Sequence, residues 1–202
     1  MIAVLLALAA ALSGCATTTR EPWPVERLDP HTAVHSTIMA EPWVFARDAR
    51  EIAVHARDYL HVGVVQTNRA GQRAFWLGVV AYSTVDRSAL PLPPRPARPG
   101  RIRLAWPEGT MELSPVPAGR GAIGASEPLF TGPQPPFEEA WYPLSTAQLA
   151  RLSREPPVSV TLLDDEVSAK VGAELRYDAW QTEAALIERF VEVAGLGGDA
   201  TR

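Results

Sequence analysis

The sequence has one cysteine, Cys15, and no excess of positive charge, and each scarcity excludes a class of protein. A single cysteine cannot form a disulfide within the chain. The net charge is −4, and the 19 basic and 23 acidic residues are interspersed, so no broad cationic surface for a nucleic-acid backbone is predicted. We therefore expect no nucleic-acid partner.

Apolar runs of membrane-spanning length are also lacking. The stretch from Ile2 to Leu12 is apolar, but it is well short of the roughly 20 residues that a helix needs to cross a bilayer. Its length is that of the apolar region of a secretory signal. Residues 1–14 are therefore predicted to be a signal peptide.

The motif Leu12-Ser13-Gly14-Cys15 follows this stretch directly and resembles the lipobox of bacterial prolipoproteins. The resemblance implies that the Cys15 thiol becomes a diacylglyceryl thioether, that the preceding bond is cleaved and that the new amino terminus is acylated. Several acyl chains anchor a protein firmly, because each buried methylene contributes about 0.8 kcal/mol. The alternative is an ordinary apolar N-terminus with a chance cysteine, yet the only cysteine falls where lipidation requires it.

The residue after Cys15 is Ala16, whereas lipoproteins held at the inner membrane tend to carry Asp there. The resemblance therefore implies an outer-membrane lipoprotein that faces the periplasm, and the body is similar in general character to small envelope lipoproteins of Gram-negative bacteria. We expect residues 15–30 to form the lipidated N-terminus and a flexible tether, because they are polar and contain proline. Residues 31–202 are expected to form a single globular domain.

The composition of the body favours strands, turns and stiff loops over a helical bundle. A hydrophobic content of 47% is ample for a core, while 19 prolines and six tryptophans are many for 202 residues. We predict a mainly β domain of the α+β class. It is expected to be an antiparallel, β-sandwich-like fold with two short helices, one of them C-terminal.

Hydrophobic periodicity predicts the individual elements. Residues 59–67 and 73–84 are expected to form a central antiparallel hairpin, whose second strand is apolar on both faces. One face carries Phe75, Leu77 and Val79, and the other carries Trp76 and Val80. The further predicted strands are 43–45, a hairpin of 101–106 with 110–114, 158–163 and 173–177. Helices are predicted to open at Asp29-Pro30, at a capping box over 145–148, and near Thr182, the last one stopping at Gly195. Loops are predicted at 91–100 and 115–136, and residues 49–60 stay ambiguous between helix and strand.

All four histidines fall within one short stretch, at positions 31, 35, 55 and 61. If that stretch is helical, His31 and His35 share a face, so a metal-dependent enzyme that uses these two side chains is the alternative functional hypothesis. Thr32 stands where a zinc protease of the HExxH type needs its glutamate base, which excludes that chemistry. Exposed or structurally satisfied histidines are the preferred interpretation, and neither a metal nor another cofactor is predicted.

Three further patterns resemble catalytic or nucleotide-binding motifs. Residues 119–124 match the glycine fingerprint of dinucleotide-binding folds, but the prolines around them predict a loop with no helix to follow. Asp58 with Asp86, and the run 164–166, offer paired carboxylates that more often are simply solvated. Ser126 does not lie in a Gly-x-Ser-x-Gly elbow, so that type of hydrolase is not supported.

Two patterns indicate binding rather than catalysis. The prolines from 91 to 99 have the spacing that proline-reading domains bind, although a stiff loop is the favoured interpretation. The tryptophans offer rings for a glycan or lipid groove, although most are expected to be core anchors. We therefore predict a noncatalytic binding or assembly role, with a bilayer partner through Cys15 and an envelope protein, glycan or lipid as the second partner.

Overall fold

A computed structural model describes residues 22–50, 52–85, 98–130, 137–163 and 174–196. Within these ranges the chain forms a ten-stranded sheet and three helices. The strands are β1 (Val25–Leu28), β2 (His35–Ile38), β3 (Trp43–Asp48), β4 (Arg57–Arg69), β5 (Gln72–Ser83), β6 (Ile102–Trp106), β7 (Gly109–Leu113), β8 (Glu138–Leu144), β9 (Ser159–Leu162) and β10 (Leu175–Gln181). The helices are α1 (Arg120–Ile123), α2 (Thr146–Arg154) and α3 (Ala184–Val193).

The sheet is antiparallel throughout and is organised around the long strand β4. One edge of β4 pairs with β5, which pairs in turn with β8. The other edge is shared, because β2 pairs with the C-terminal part of β4 and β3 with its N-terminal part. Strand β1 continues the sheet beyond β2, while β10, β9, β6 and β7 continue it in that order beyond β3. The predicted mainly β, sandwich-like α+β class is confirmed.

The hairpin of β4 and β5 is the prediction that the structure confirms most fully. A two-residue turn joins the strands, and Ala70 and Gly71 both have positive φ, at 50° and 87°. Two such residues in succession give the turn whose twist matches that of the flanking strands. The Gly71 amide also donates to Asn68 Oδ1 at 2.9 Å. The turn residues therefore fix the register of the pair.

Both faces of β5 are buried, as the sequence predicts, but against different partners. Phe75, Leu77 and Val79 face the main core inside the curled sheet, where the apolar sides of α2 and α3 also pack. Trp76 and Val80 face a second apolar cluster on the outer side of the sheet. A strand that lies between two cores must be apolar on both faces, and β5 lies between β4 and β8.

Residues 115–130, named here the cap segment, cover part of the outer face. Phe130 is buried, and its ring stacks on Trp141 with centroids 5.8 Å apart. The same ring lies directly on Gly63 and Gly78, which face each other across β4 and β5. A methyl group at Gly78 would meet a ring atom of Phe130 and one of Trp141, both at 2.7 Å. Glycine at both positions therefore makes room for the aromatic ring.

The two predicted helices are confirmed as α2 and α3. The Ser145 hydroxyl accepts from the Gln148 amide at 3.2 Å, and the Gln148 side chain accepts from the Ser145 amide at 2.8 Å, which completes the predicted capping box. Helix α3 buries Leu186, Ile187 and Phe190, and Gly195 follows it with a φ of 73°. The single turn α1 was not predicted.

The N-terminal part of the domain departs from the prediction. Residues 25–28 were predicted to belong to the tether, but they form strand β1, which pairs with β2. The pairing is made by the backbone, so the polar residues Glu26 and Arg27 did not indicate a strand. Asp29-Pro30 does not open a helix, because the Asp29 amide donates to the Val34 carbonyl at 2.9 Å in the turn between β1 and β2. The Pro22 carbonyl accepts from Arg189 at 3.1 Å, so the folded domain already includes residue 22 rather than beginning at 31.

Two other segments also differ from the expectation. Strand β8 was not predicted, because it contains Pro143 and two acidic residues, yet it pairs with β5 over its whole length. Proline is tolerated there because one edge of β8 has no strand partner among the described residues. Residues 49–50 and 52–56 form turns and not a helix, with Ile52 N donating to Ala49 O at 2.8 Å.

Several predicted features lie outside the described residues. They are the signal peptide, Cys15, Asp86, the run 164–166 and most of the proline run 91–99. In the ranges that are described, no helix is long and apolar enough to cross a membrane.

Candidate functional site

The part of the outer face that the cap segment leaves uncovered lies at the N-terminal end of β4. Alternation along the strand places Arg57, Tyr59 and His61 on this face, because Asp58 and Leu60 point inward and are buried. The cluster under the cap segment begins further along β4 and includes Val65. Polar and aromatic groups are therefore presented on a rigid sheet.

Aromatic rings and charged groups from four strands meet at Arg57. Its guanidinium carbon lies 4.6 Å from the centre of the Trp180 ring on β10, and Nε lies 3.1 Å from Asp48 Oδ1 on β3. Beside it, the rings of Tyr59 and Tyr82 stack with centroids 5.2 Å apart. Trp180 is 54% exposed, which is unusual for a residue of its size. We name the depression bounded by Asp48, Arg57, Tyr59 and Trp180 the Arg57 groove.

The groove has two lobes, one on each side of the Asp48–Arg57 ion pair. The larger lobe has a volume of about 700 Å³ and is lined also by Arg50, His55 and Thr84. The smaller lobe, of about 360 Å³, extends along Trp180, Arg176 and Asp178. The hydrogen bond to Asp48 raises the pKa of Arg57 further above its ordinary value, so Arg57 is a permanent cation. The groove therefore combines flat apolar rings with fixed hydrogen-bond donors and acceptors.

His61 forms the inner end of this polar row. Its Nε2 lies 3.0 Å from the Tyr82 hydroxyl, and the two rings meet edge to face with centroids 4.8 Å apart. His61 Nδ1 is buried and has no hydrogen-bond partner among the described residues. Burial lowers the pKa of His61 and raises that of Tyr82. Both side chains are therefore neutral near pH 7, and the hydrogen bond between them fixes the Tyr82 ring.

The shifted pKa of His61 predicts that the domain loses stability in mild acid. The folded state binds fewer protons than the unfolded state, in which a histidine has a pKa near 6.5, so stability is full above about pH 6.5 and falls as the pH drops below it. We expect the Tm to fall between about pH 7.5 and pH 5.5, and to fall less in His61→Gln. Thermal unfolding at both pH values measures the difference. Equal pH dependence in the two proteins would contradict the assignment.

The two histidines of the alternative metal hypothesis, His31 and His35, are not arranged on one helix. His31 lies in the turn between β1 and β2, and His35 lies on β2, with Nε2 4.0 Å from a carboxylate oxygen of Glu26. His35 pairs with Asn68 of β4. Asn68 is seven residues from His61 on the same strand, so His35 and His61 are about 23 Å apart along it. The described ranges contain no group of three or more residues suited to hold a metal ion. The metal hypothesis therefore loses the geometry on which it rested.

Asp58 is a structural residue rather than an acid or base. It is buried on the inner side of β4, and its Oδ2 lies 2.8 Å from Arg47 Nη2. Arg47 also lies 5.9 Å from the centre of the Tyr177 ring. A carboxylate that is held by a guanidinium inside the core has no access to a substrate.

Residues 119–124 form an ordered part of the cap segment. Gly119 and Gly124 have φ of 55° and 75°, and the single turn α1 lies between them, inside the motif. Among the described residues no helix follows Gly124 before β8, as expected. A dinucleotide site needs a strand directly before the first glycine, whereas β7 ends at Leu113. The glycines here shape a turn that places Ile123 in the outer cluster.

Ser126 is held by Asp29, a residue whose role the sequence did not predict. The Ser126 amide and hydroxyl donate to Asp29 Oδ2 at 2.6 and 2.7 Å, and the amides of His31 and Thr32 donate to Oδ1 at 2.9 and 3.0 Å. The bonds from Ser126, and then those from the two amides, hold the pKa of Asp29 well below its usual range. Asp29 therefore ties the turn between β1 and β2 to the cap segment.

The tryptophans divide as expected between core and surface. Trp43, Trp106 and Trp141 are buried, whereas Trp23 and Trp180 are exposed. Only Trp180 belongs to the Arg57 groove. The sequence analysis missed this groove, although the alternation of Arg57, Tyr59 and His61 was a signal of a polar face on an otherwise apolar strand.

The comparisons with known proteins add no family to these observations. No protein-family model, no curated protein and no solved structure matches this chain.

Proposed function

We propose that the protein is a lipid-anchored envelope protein with a noncatalytic binding role, and that the Arg57 groove binds a glycan chain. The anchor is Cys15, in an outer membrane whose periplasmic side the domain faces. The observation that carries the binding role is the half-exposed Trp180 ring beside the Asp48–Arg57 pair. The chemistry of these groups matches that of a sugar.

A sugar ring has an apolar face of C–H groups and a rim of hydroxyls. The Trp180 and Tyr59 rings offer flat apolar surface for the former, while Arg57 donates and Asp48 accepts hydrogen bonds for the latter. The two lobes are open and adjoin along the Asp48–Arg57 pair, which suits successive units of a chain better than one enclosed small molecule. A periplasmic location would bring the groove near the cell-wall glycan.

The carboxylates of the groove support binding rather than hydrolysis. Glycoside hydrolysis needs one carboxyl group that an apolar site keeps protonated, together with a second carboxylate. Asp48 and Asp178 both line the smaller lobe, but each is solvent-exposed and lies beside an arginine, Arg57 at 3.1 Å and Arg176 at 2.9 Å. Neither carboxyl group therefore lies in the apolar surroundings that the acid of a glycoside hydrolase needs.

The proposed anchor is supported by the lipobox-like motif at residues 12–15. The chemical state of Cys15 in the mature protein tests it. Mass spectrometry of the native product is expected to find Cys15 as the first residue, with a diacylglyceryl group on sulfur and an acyl group on nitrogen. An uncleaved leader or a free thiol at position 15 would overturn the anchor and leave the proposal for the groove standing.

Trp180→Ala is expected to weaken binding of chitotetraose and of purified peptidoglycan sacculi about tenfold, which corresponds to roughly 1.4 kcal/mol. The loss arises because the exposed ring supplies the surface on which a sugar would stack. Titration calorimetry measures the affinity for chitotetraose, and cosedimentation measures binding to the sacculi. Trp23→Ala is the matched control, because Trp23 is 55% exposed but lies outside the groove.

The same variant also tests the binding role without a sugar. The intact protein could bind neither glycan and yet recover a protein partner from envelopes. If that protein is lost in Trp180→Ala and kept in Trp23→Ala, the groove binds a protein and the glycan assignment is wrong. If Trp180→Ala and Trp23→Ala behave as the parent protein in every assay, the groove is not the binding site.

A further inference from the structure

A second, smaller pocket lies on the inner face of the sheet, beside the C-terminal end of α3. Its volume of about 210 Å³ corresponds to about seven water molecules at roughly 30 Å³ each. Gln66, which lines it, is nine residues beyond Arg57 on β4, or about 30 Å along the strand, so this pocket is separate from the Arg57 groove. Besides the end of α3, the polar pocket, as we name it, is lined by Glu26, His35, Thr37, Gln66, Asn68 and Arg73.

The register of four neighbouring strands brings these side chains together. They form two rows of cross-strand neighbours on β1, β2, β4 and β5, and positions two apart on a strand share a face. Phe75, which continues the first row, packs against the main core, so both rows belong to the inner face. The first row contains Glu26, Thr37 and Gln66, and the second contains His35, Asn68 and Arg73.

Thr37 and Gln66 are buried polar residues whose side chains have no hydrogen-bond partner among the described residues. Thr37 is 5% exposed and Gln66 is 7% exposed, and both line the polar pocket. A buried hydroxyl or amide without a partner costs free energy, so such groups are usually satisfied by water or by a ligand. The two side chains therefore offer unused hydrogen-bonding capacity to the contents of the pocket.

Glu26 and Arg73 bring opposite charges to the two sides of the polar pocket. They belong to β1 and β5, which are separated by β2 and β4, so their backbones stand about 14 Å apart at the usual strand spacing. A methyl group at Gly195 would lie 3.7 Å from Arg73 Nη1, which places the guanidinium beside the end of α3. The Glu26 carboxylate lies 4.0 Å from His35 Nε2, while no ion pair joins Arg73 to another described residue.

We propose that the polar pocket binds a free small amino acid of the size of alanine, as its zwitterion. Arg73 pairs with the carboxylate and Glu26 with the ammonium group, while the Gln66 amide supplies hydrogen bonds between the two charges. A simple anion or cation would leave one charge of the pocket unpaired, whereas a zwitterion pairs both. The small volume limits the ligand's own side chain to a few atoms. The inference is independent of the anchor and of the glycan proposed above.

Titration calorimetry of the intact protein with L-alanine and D-alanine tests the proposal. We expect saturable binding of at least one enantiomer, and binding at least about tenfold weaker for N-acetylalanine, which lacks the ammonium group, and for alaninamide, which lacks the carboxylate. These two compounds also represent the two ends of a peptide. If either binds as tightly as alanine, the pocket recognises a peptide end and the assignment is wrong. If neither enantiomer binds at millimolar concentration, the proposal is overturned.

The charged residues are tested by variants that keep the size of the side chain. Arg73→Gln and Glu26→Gln are each expected to weaken alanine binding about 10- to 100-fold, because each removes one charge-assisted contact. Arg154→Gln is the matched control, since Arg154 is an exposed arginine of α2 outside the polar pocket. Binding that is unchanged in Arg73→Gln would locate the amino acid elsewhere and refute the site.

Gln66→Leu separates binding from folding. It is expected to weaken alanine binding at least about tenfold without lowering the Tm, because the amide has no partner in the fold whose loss could destabilise it. Thr37→Val is the second variant of this kind and covers the case in which Gln66→Leu does not fold. Alanine binding at parental strength in both folded variants would contradict the role of the buried polar groups.

Discussion

Asp58→Ala is expected to lower the free energy of unfolding by about 3–5 kcal/mol, the range found when one partner of a buried ion pair is removed. The Asp58 side chain is 3% exposed, and Arg47, which contacts it at 2.8 Å, is 13% exposed. Truncation leaves the guanidinium in the core without the carboxylate that offsets its desolvation. Urea unfolding, followed by circular dichroism, measures the change.

Asp48→Ala is the matched control, because Asp48 also forms an ion pair with an arginine, Arg57, but is 55% exposed. Exposed ion pairs contribute little, so its expected cost is below about 1 kcal/mol. A double replacement, Arg47→Met with Asp58→Leu, is expected to recover part of the loss, since it removes both charges at once. If Asp58→Ala costs no more than Asp48→Ala, the pair does not stabilise the core as described.

Phe130→Ala is expected to cost about 3–5 kcal/mol, because it opens a cavity between the cap segment and the sheet. The ring is buried against Trp141 and covers Gly63 and Gly78, so no neighbouring side chain can fill the space without moving. Thermal and urea unfolding measure the loss. The outer cluster would also become accessible to a hydrophobic dye.

Gly63→Ala in the presence and absence of Phe130 tests the same contact from the other side. The three atoms nearest to an added methyl group all belong to the Phe130 ring, so Gly63→Ala alone is expected to cost about 1–3 kcal/mol through overpacking. In the Phe130→Ala background that cost should disappear. Gly121→Ala is the control, since a methyl group there meets no atom within 4 Å. An unchanged cost in both backgrounds would refute the contact.

The parts of the fold that the sequence predicted are those with a local cause. The positive φ of Gly71, the capping box at Ser145 and the two apolar faces of β5 each depend on neighbours within a few residues or on a simple periodicity. Strands β1 and β8 are different, because their polar residues and Pro143 give no strand pattern. They exist because the backbones of β2 and β5 offer them edges to pair with.

The candidate site was harder to predict for a related reason. Asp48, Arg57, Tyr82 and Trp180 come from four strands, and only the register of those strands brings them together. Proximity in the sequence misled in the opposite direction, because His31 and His35 are close along the chain but lie in a turn and a strand. A helical spacing has meaning only after the helix itself is established.

The length of β4 has a consequence for how the protein would work at a surface. Ile38 of β2 pairs with Val65 of β4. Arg57, where the groove begins, lies eight residues before Val65 on β4, which is about 26 Å along an extended strand. Because β1 and β2 join the N-terminal end of the domain to β4, the sheet forms a rigid spacer between that end and the groove. If Cys15 carries the proposed anchor, a glycan in the groove would be held at a distance from the lipid that the length of the sheet helps to set.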